Sequence, residues 1–203
     1  MEERQILAQF EAGFRQHFAL SDDEWQSFID QGKLKFYSKG DVLFSAGDVV
    51  DKVGFVCAGT LCNFYLTPDG NRRNKSFLQQ GEVSACLSSF ARGLPARFGC
   101  EVLTDSVCFE LPAKALRSLS ESTPGWKDAF LQMVTALALK KEAREADLLM
   151  LSPTELYIQF VESCPELSQS LPNYHIASYL GITEVSLSRI RAKLGVQNAY
   201  QRQ

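Results

Sequence analysis

The sequence predicts an α+β fold: two short helices, a jelly-roll-like antiparallel β-roll, one long helix, and a small helical domain that closes on a helix–turn–helix. Three observations predict it. Glycines at 40, 47, 59, 70, 81 and 93 break residues 33–111 into short apolar or alternating segments, and the gaps of 7, 12, 11, 11 and 12 residues suit strands joined by turns. Thr123-Pro124 then opens a helical pattern that runs to about Leu149. Residues 172–194, PNYHIASYLGITEVSLSRIRAKL, hold two helical segments around a glycine turn. The 203 residues divide accordingly into 1–122, 123–151 and 152–203.

Residues 2–18 place Ile6, Leu7, Phe10, Phe14 and Phe18 at helical spacing. Ser21-Asp22-Asp23-Glu24 is a capping box, so a second helix starts here and runs to about Asp30. In the roll, Leu61, Asn63 and Tyr65 alternate with Cys62, Phe64 and Leu66, and Pro68-Asp69-Gly70-Asn71 supplies a tight turn before a strand from Arg73 to Leu78. In the long helix, Thr123 is the expected N-cap and Pro124 the first helical residue. Phe130, Val134, Leu137, Lys141, Arg144, Leu148 and Leu151 follow one another in steps of 4 and 3, a heptad stripe with two charged interruptions. A helix this long outruns a small roll, which favours a dimer seam over packing on its own roll. Ser152-Pro153-Thr154-Glu155 repeats the helix-start signal, and that helix should stop near Cys164-Pro165. Residues up to Leu171 are polar without a period.

Composition bounds the function. With 45% hydrophobic and 22% charged residues the chain reads as an ordinary globular protein. Its apolar runs, such as Leu148 to Leu151, are too short to span a bilayer, and Met1-Glu2-Glu3-Arg4 lacks a secretory start, so a cytoplasmic protein away from the membrane is expected. Cysteines 57, 62, 86, 100, 108 and 164 form no C-x-x-C pair and read as buried thiols, while His17 and His175 sit in no ligand pattern, so no metal site is expected. No G-x-S-x-G, P-loop or recognisable Cys-His pair is present, which argues against an enzyme. Asp22-Asp23 complements a helix start.

A net charge of −3 hides asymmetry: within 152–203, Glu155, Glu162, Glu166 and Glu184 come before Arg189, Arg191, Lys193 and Arg202. In the helix–turn–helix, Ala177 is small where helices approach, Gly181 suits a left-handed turn, and Ile182, Leu187, Ile190 and Leu194 form the expected buried face. Glu184, Val185, Ser186, Ser188, Arg189, Arg191 and Lys193 are then the candidate DNA-binding residues, Arg189 with the geometry to pair with guanine. The same features also suit a structural helical hairpin.

Lys39-Gly40-Asp41, Gly47-Asp48 and the G-F-V-x-x-G run from Gly54 to Gly59, followed by a long helix and S-L-S-R-I-R-A-K-L, resemble the Crp/Fnr family of bacterial transcription regulators over nearly the whole chain. The resemblance implies a cyclic-nucleotide-binding-type sensor, a dimerisation helix and a DNA-binding domain. It further implies a homodimer on a double-stranded DNA operator, with a small-molecule effector and RNA polymerase as further candidate partners.

Departures from the family pattern matter as much. Nucleotide-binding members follow Q-G-[DE] with G-E-L and then R-[ST]-A, whose Glu and Arg hold ribose and phosphate. After Gln80-Gly81-Glu82 this chain places Ala85-Cys86-Leu87 and Ala96-Arg97-Phe98, with Arg97 one step off. Cyclic AMP is therefore not expected, and the effector stays unnamed. The same register puts Asn63, Ser76, Leu78, Cys86 and Cys100 in the ligand pocket, with Arg97 reaching it only if its segment bends. The two pocket cysteines read as an apolar plug, a thiol switch or a soft-metal site. No cysteine precedes Cys57, which excludes an Fnr-type cluster. Val185 and Ser186 replace the Glu-Thr pair common at the base-reading positions. That change leaves open an interaction module that kept the fold and no longer reads DNA specifically.

Overall fold

Two four-stranded sheets form the roll in the computed structural model, which describes residues 3–195. Arg202 of the basic tail lies outside the described residues. The strands are β1 (Lys33–Tyr37), β2 (Val42–Phe44), β3 (Lys52–Ala58), β4 (Leu61–Leu66), β5 (Arg72–Leu78), β6 (Val83–Ser84), β7 (Gly99–Val102) and β8 (Ser106–Pro112). One sheet has the order β1-β8-β3-β6 and the other β2-β7-β4-β5. Gly59 turns the chain between β3 and β4 at φ +87°, and a Cβ there would run into Ser106 and Asp105, so glycine is required twice over.

The helices α1 (Glu3–His17) and α2 (Asp22–Ile29) cover the first sheet through an aromatic core. Phe28 is fully buried, with ring centroids 4.5 Å from Trp126, 4.9 Å from Phe109 and 5.4 Å from Phe55. Phe10 and Phe14 join from α1. Each such side chain, buried on folding, contributes roughly 1.5–3 kcal/mol.

The capping box at Ser21 forms as expected, and its Glu24 does a second job. Glu24 Oε1 accepts from Gly125 N at 2.8 Å and Glu24 O accepts from Trp126 Nε1 at 3.1 Å, which caps the start of α5 (Pro124–Met150). Thr123 stands where expected, directly before Pro124, with its carbonyl accepting from Lys127 N at 3.0 Å, and it also closes α4 (Ala113–Ser122): its hydroxyl donates back to Leu119 O at 3.1 Å. Helix α4 and the short α3 (Leu87–Arg92) went unpredicted because the glycine and strand pattern around them dominated the reading. Phe130, placed by the heptad in a dimer seam, stacks on Phe90 of α3 at 5.4 Å in its own roll. Beyond it, residues 135–143 of α5 are exposed on every side.

Four helices follow: α6 (Pro153–Ser163), α7 (Pro165–Ser170), α8 (Asn173–Leu180) and α9 (Glu184–Lys193). The Ser152 capping box forms, and α7 occupies the stretch in which no period was legible, a helix too short to display one. Two compact units result: residues 1–65 with 75–135, and residues 66–74 with 136–203. The hairpin tip between β4 and β5 therefore belongs to the second unit. There Asn74 Nδ2 donates to His175 O at 2.9 Å and meets His175 Nδ1 at 3.1 Å, while Ser178 Oγ accepts from Asn74 N and donates to Arg72 O, both at 2.9 Å. No helix among the described residues is long and apolar enough to cross a membrane.

The expected buried face of α9 needs correction. Leu187 is fully buried, but Ile182 and Ile190 are only half-buried and Leu194 is exposed. Arg191, expected outward as a DNA contact, takes the inward place one turn after Leu187 and is 3% exposed. Its Nε donates to Tyr157 OH at 3.0 Å, Nη1 to Asn173 Oδ1 at 2.6 Å and Nη2 to Ser168 O at 3.0 Å. The 3.6-residue period places it inward, and only the guanidinium's five donors make that position tolerable.

Arg191→Ala leaves all three acceptors without this donor, and at about 1.5–3 kcal/mol for a hydrogen bond to a charged group the loss should exceed about 3 kcal/mol. Both tryptophans, Trp25 and Trp126, lie in the first unit. Urea titration should therefore show an early far-UV circular dichroism transition with tryptophan fluorescence unchanged. Coincident, wild-type-like transitions would show that Arg191 carries no such weight.

Candidate functional site

The outward face of α9 is built by its ends. Gly181 holds φ +76° at the end of α8, a left-handed turn that any side chain would strain, and Ala177 O accepts from Ile182 N at 3.0 Å across it. Thr183 caps α9 by accepting from Ser186 N at 3.1 Å, and its hydroxyl also pairs with Ser186 Oγ at 2.9 Å. Ser186 is thus half-buried and engaged in the cap. Glu184, Val185, Ser188, Arg189 and Lys193 are exposed, Val185 by 60%. With Arg191 turned inward, Arg189 and Lys193 are the outward cations of this helix among the described residues.

The roll's interior brings together five of the six pocket residues named from sequence. Asn63 lies opposite Cys100 in the β4–β7 register, and Leu78, Cys86, Phe98 and Cys100 belong to one buried cluster. Asn63 Nδ2 donates to Ser76 Oγ at 3.1 Å. Ser84 Oγ lies 3.5 Å from Cys100 Sγ, joining a strand of one sheet to a strand of the other. Arg97 is exposed between buried Ala96 and Phe98, so strand-like alternation points it out of the interior. The positions that carry Glu and Arg in the family pattern are held by buried Cys86 and Ala96, neither of which bears a charged side chain of that kind.

The thiols differ in character. Burial pushes Cys57 and Cys100 up to about 11 and Cys108 up to about 12, so all three stay protonated at neutral pH. Burial also opposes ionisation of Cys86, but hydrogen bonds from the side chains and backbone amides of Ser88 and Ser89 outweigh it and leave the thiol below its ordinary value. Cys86 is the residue before α3, its sulfur 3.2 Å from Ser88 Oγ. Among the described residues no group of three or more His, Cys, Asp or Glu side chains is placed to hold a metal ion. The sequence reading missed the bond between Asn74 and His175, and a lone histidine on a short helix gives no signal of a partner some hundred residues away.

Residues 34–123 match the family model described as cyclic nucleotide-binding domain. The chain is 24% identical over 179 residues to the fumarate and nitrate reduction regulatory protein of Escherichia coli (strain K12), covering 83% of this chain and 70% of that protein. The fold is similar to that of FixK2 from Bradyrhizobium japonicum, with a TM-score of 0.71 and 17% identity over 81% of this chain and 84% of the other. It is also similar to the c-di-GMP-responsive global regulator CLP of Xanthomonas campestris, with a TM-score of 0.68 and 14% identity over 86% and 92% of the two chains. Residues 34–123 of the roll thus match the cyclic nucleotide-binding domain, and the chain as a whole, with its helix–turn–helix after the long helix, is similar to these regulators.

Proposed function

We propose that the protein is a homodimeric transcription regulator that reads double-stranded DNA with α9 and whose roll does not take cyclic AMP. The observation that carries the reading is the exposed face of α9, where a capped helix after a left-handed glycine turn presents Ser188, Arg189 and Lys193 outward. A guanidinium there can pair with both acceptors of guanine in the major groove, and the ammonium of Lys193 suits a phosphate. Dimerisation is supported by α5. A helix exposed on all sides over residues 135–143 gains little from its own chain, and Leu137 and Leu148 of the heptad stripe await a partner. Cytoplasmic location and contact with RNA polymerase follow from this role as expectations.

Exposed Val185 beside Glu184 favours a second reading, an interaction module without specific DNA contact, because an apolar and an acidic group at the helix start suit a protein surface. Gel shifts against a panel of DNA fragments at low salt separate the two, since phosphate contact registers there first.

Three results test the leading reading. Sedimentation at micromolar concentration should give the dimer mass. Arg189→Ala should cost about 1–3 kcal/mol on the best operator with a weaker effect on random DNA, whereas Lys193→Ala should weaken all sequences alike and lower the salt slope by about one. Equal losses on both kinds of DNA would make Arg189 a phosphate clamp. Calorimetry should register no micromolar binding of cyclic AMP, because Cys86 and Ala96 offer neither the carboxylate nor the guanidinium that ribose and phosphate need.

A further inference from the structure

We propose that the interior of the roll binds a neutral, largely apolar small molecule that donates a hydrogen bond to Asn63 Oδ1. This rests on the regulatory reading only in making that molecule the effector; the binding itself stands on the roll alone.

Asn63 is 4% exposed, and its Nδ2 is used by Ser76. Its Oδ1 is buried without a partner. Buried side-chain oxygens are nearly always paired, because desolvation without a compensating donor costs stability. An unmet acceptor therefore asks for a donor that the protein does not itself supply. Leu61, two residues earlier on β4, lies in the cluster that holds Cys86 and Cys100, so β4 turns the same face, with Asn63, toward the space between the sheets.

The remaining surroundings define the class of ligand. Leu78 and Phe98 are apolar, and Ser76, Cys86 and Cys100 are uncharged hydrogen-bonding groups. Arg97 is exposed, and the nearby Lys75 ammonium lies 4.0 Å from the centroid of the Phe98 ring, engaged with that aromatic face. An anion would lose its hydration without gaining a dedicated cation, whereas a neutral molecule with an apolar body loses little. Since Asn63 is closed in, occupation requires a neighbouring side chain to give way.

The test uses the full chain and three planar probes of equal heavy-atom count: benzamide, which donates from a neutral amide; acetophenone, which only accepts; and benzoate, which is an anion. In thermal unfolding, benzamide at about ten times its dissociation constant should raise Tm by about 3 °C, with acetophenone and benzoate well below it. Asn63→Leu should raise the Tm of the free protein by removing the unmet oxygen, and should abolish the advantage of benzamide over acetophenone. The wild-type comparison stands alone if that variant fails to fold. No shift with any probe, equal shifts for benzamide and acetophenone, or a larger shift with benzoate overturns the proposal. None of these measurements uses DNA, so failure of the gel shifts and failure of this test are separate results.

Discussion

A single buried cation organises the helical end of the molecule. Arg191 reaches from α9 to Tyr157 on α6, Ser168 on α7 and Asn173 on α8, so one guanidinium fixes the mutual placement of four helices. Lysine could not do this, because a point charge on a flexible stem lacks the fork that meets three acceptors at once. The geometry of the outward face then follows. Leu187 and Arg191 set which side of α9 turns inward, and Ser188, Arg189 and Lys193 are left on the other side. The cation thus serves the reading face by being absent from it.

The roll has its own fixed point at Glu24. One carboxylate caps α2 through Ser21 and α5 through Gly125, and Trp126 anchors beside it in the aromatic core. A Cβ at position 125 would strike that carboxylate, so the approach is possible only with glycine. The first turn of the long helix is fixed here, within the first unit. Hydrogen bonds from Ser21 and Gly125 hold the Glu24 carboxyl below its usual range, so the cap persists in mild acid.

What the sequence made legible was local and periodic. The two capping boxes and the left-handed Gly181 each depend on residues within a few positions of one another, and each forms, whereas β4 forms as a strand whose burial runs from its buried first half to its exposed end instead of alternating. The order of roll, long helix and helix–turn–helix followed from these. Arg191 was misread because residue type outweighed period: a cation was assigned to the surface although it lies one turn from a buried leucine. Thr123 was placed correctly before Pro124, but two helices meet there: its hydroxyl serves the first, while a distant Glu24 adds a cap to the second that no local pattern announces. Helices α3 and α7 span six residues each, under two turns, which leaves no room for a period. The pocket residues were placed by alignment with the family pattern rather than by any property of the residues themselves, and Asn63, Ser76, Leu78, Cys86 and Cys100 lie together inside the roll. The unmet oxygen of Asn63 had no signature in sequence, because it depends on what every neighbouring strand fails to offer.

The hairpin tip at residues 66–74 changes what counts as a module. In sequence, the helix–turn–helix can be cut away cleanly at Ser152. In space, its His175 and Ser178 are completed by Asn74 and the carbonyl of Arg72, which come from the middle of the chain. A chimera that exchanged only residues 152–203 with a relative would inherit a helix whose polar groups had been matched to someone else's loop. The natural unit of exchange is the C-terminal segment together with that short loop, so substitutions at 72 and 74 are tied to those at 175 and 178 across about a hundred residues of intervening chain.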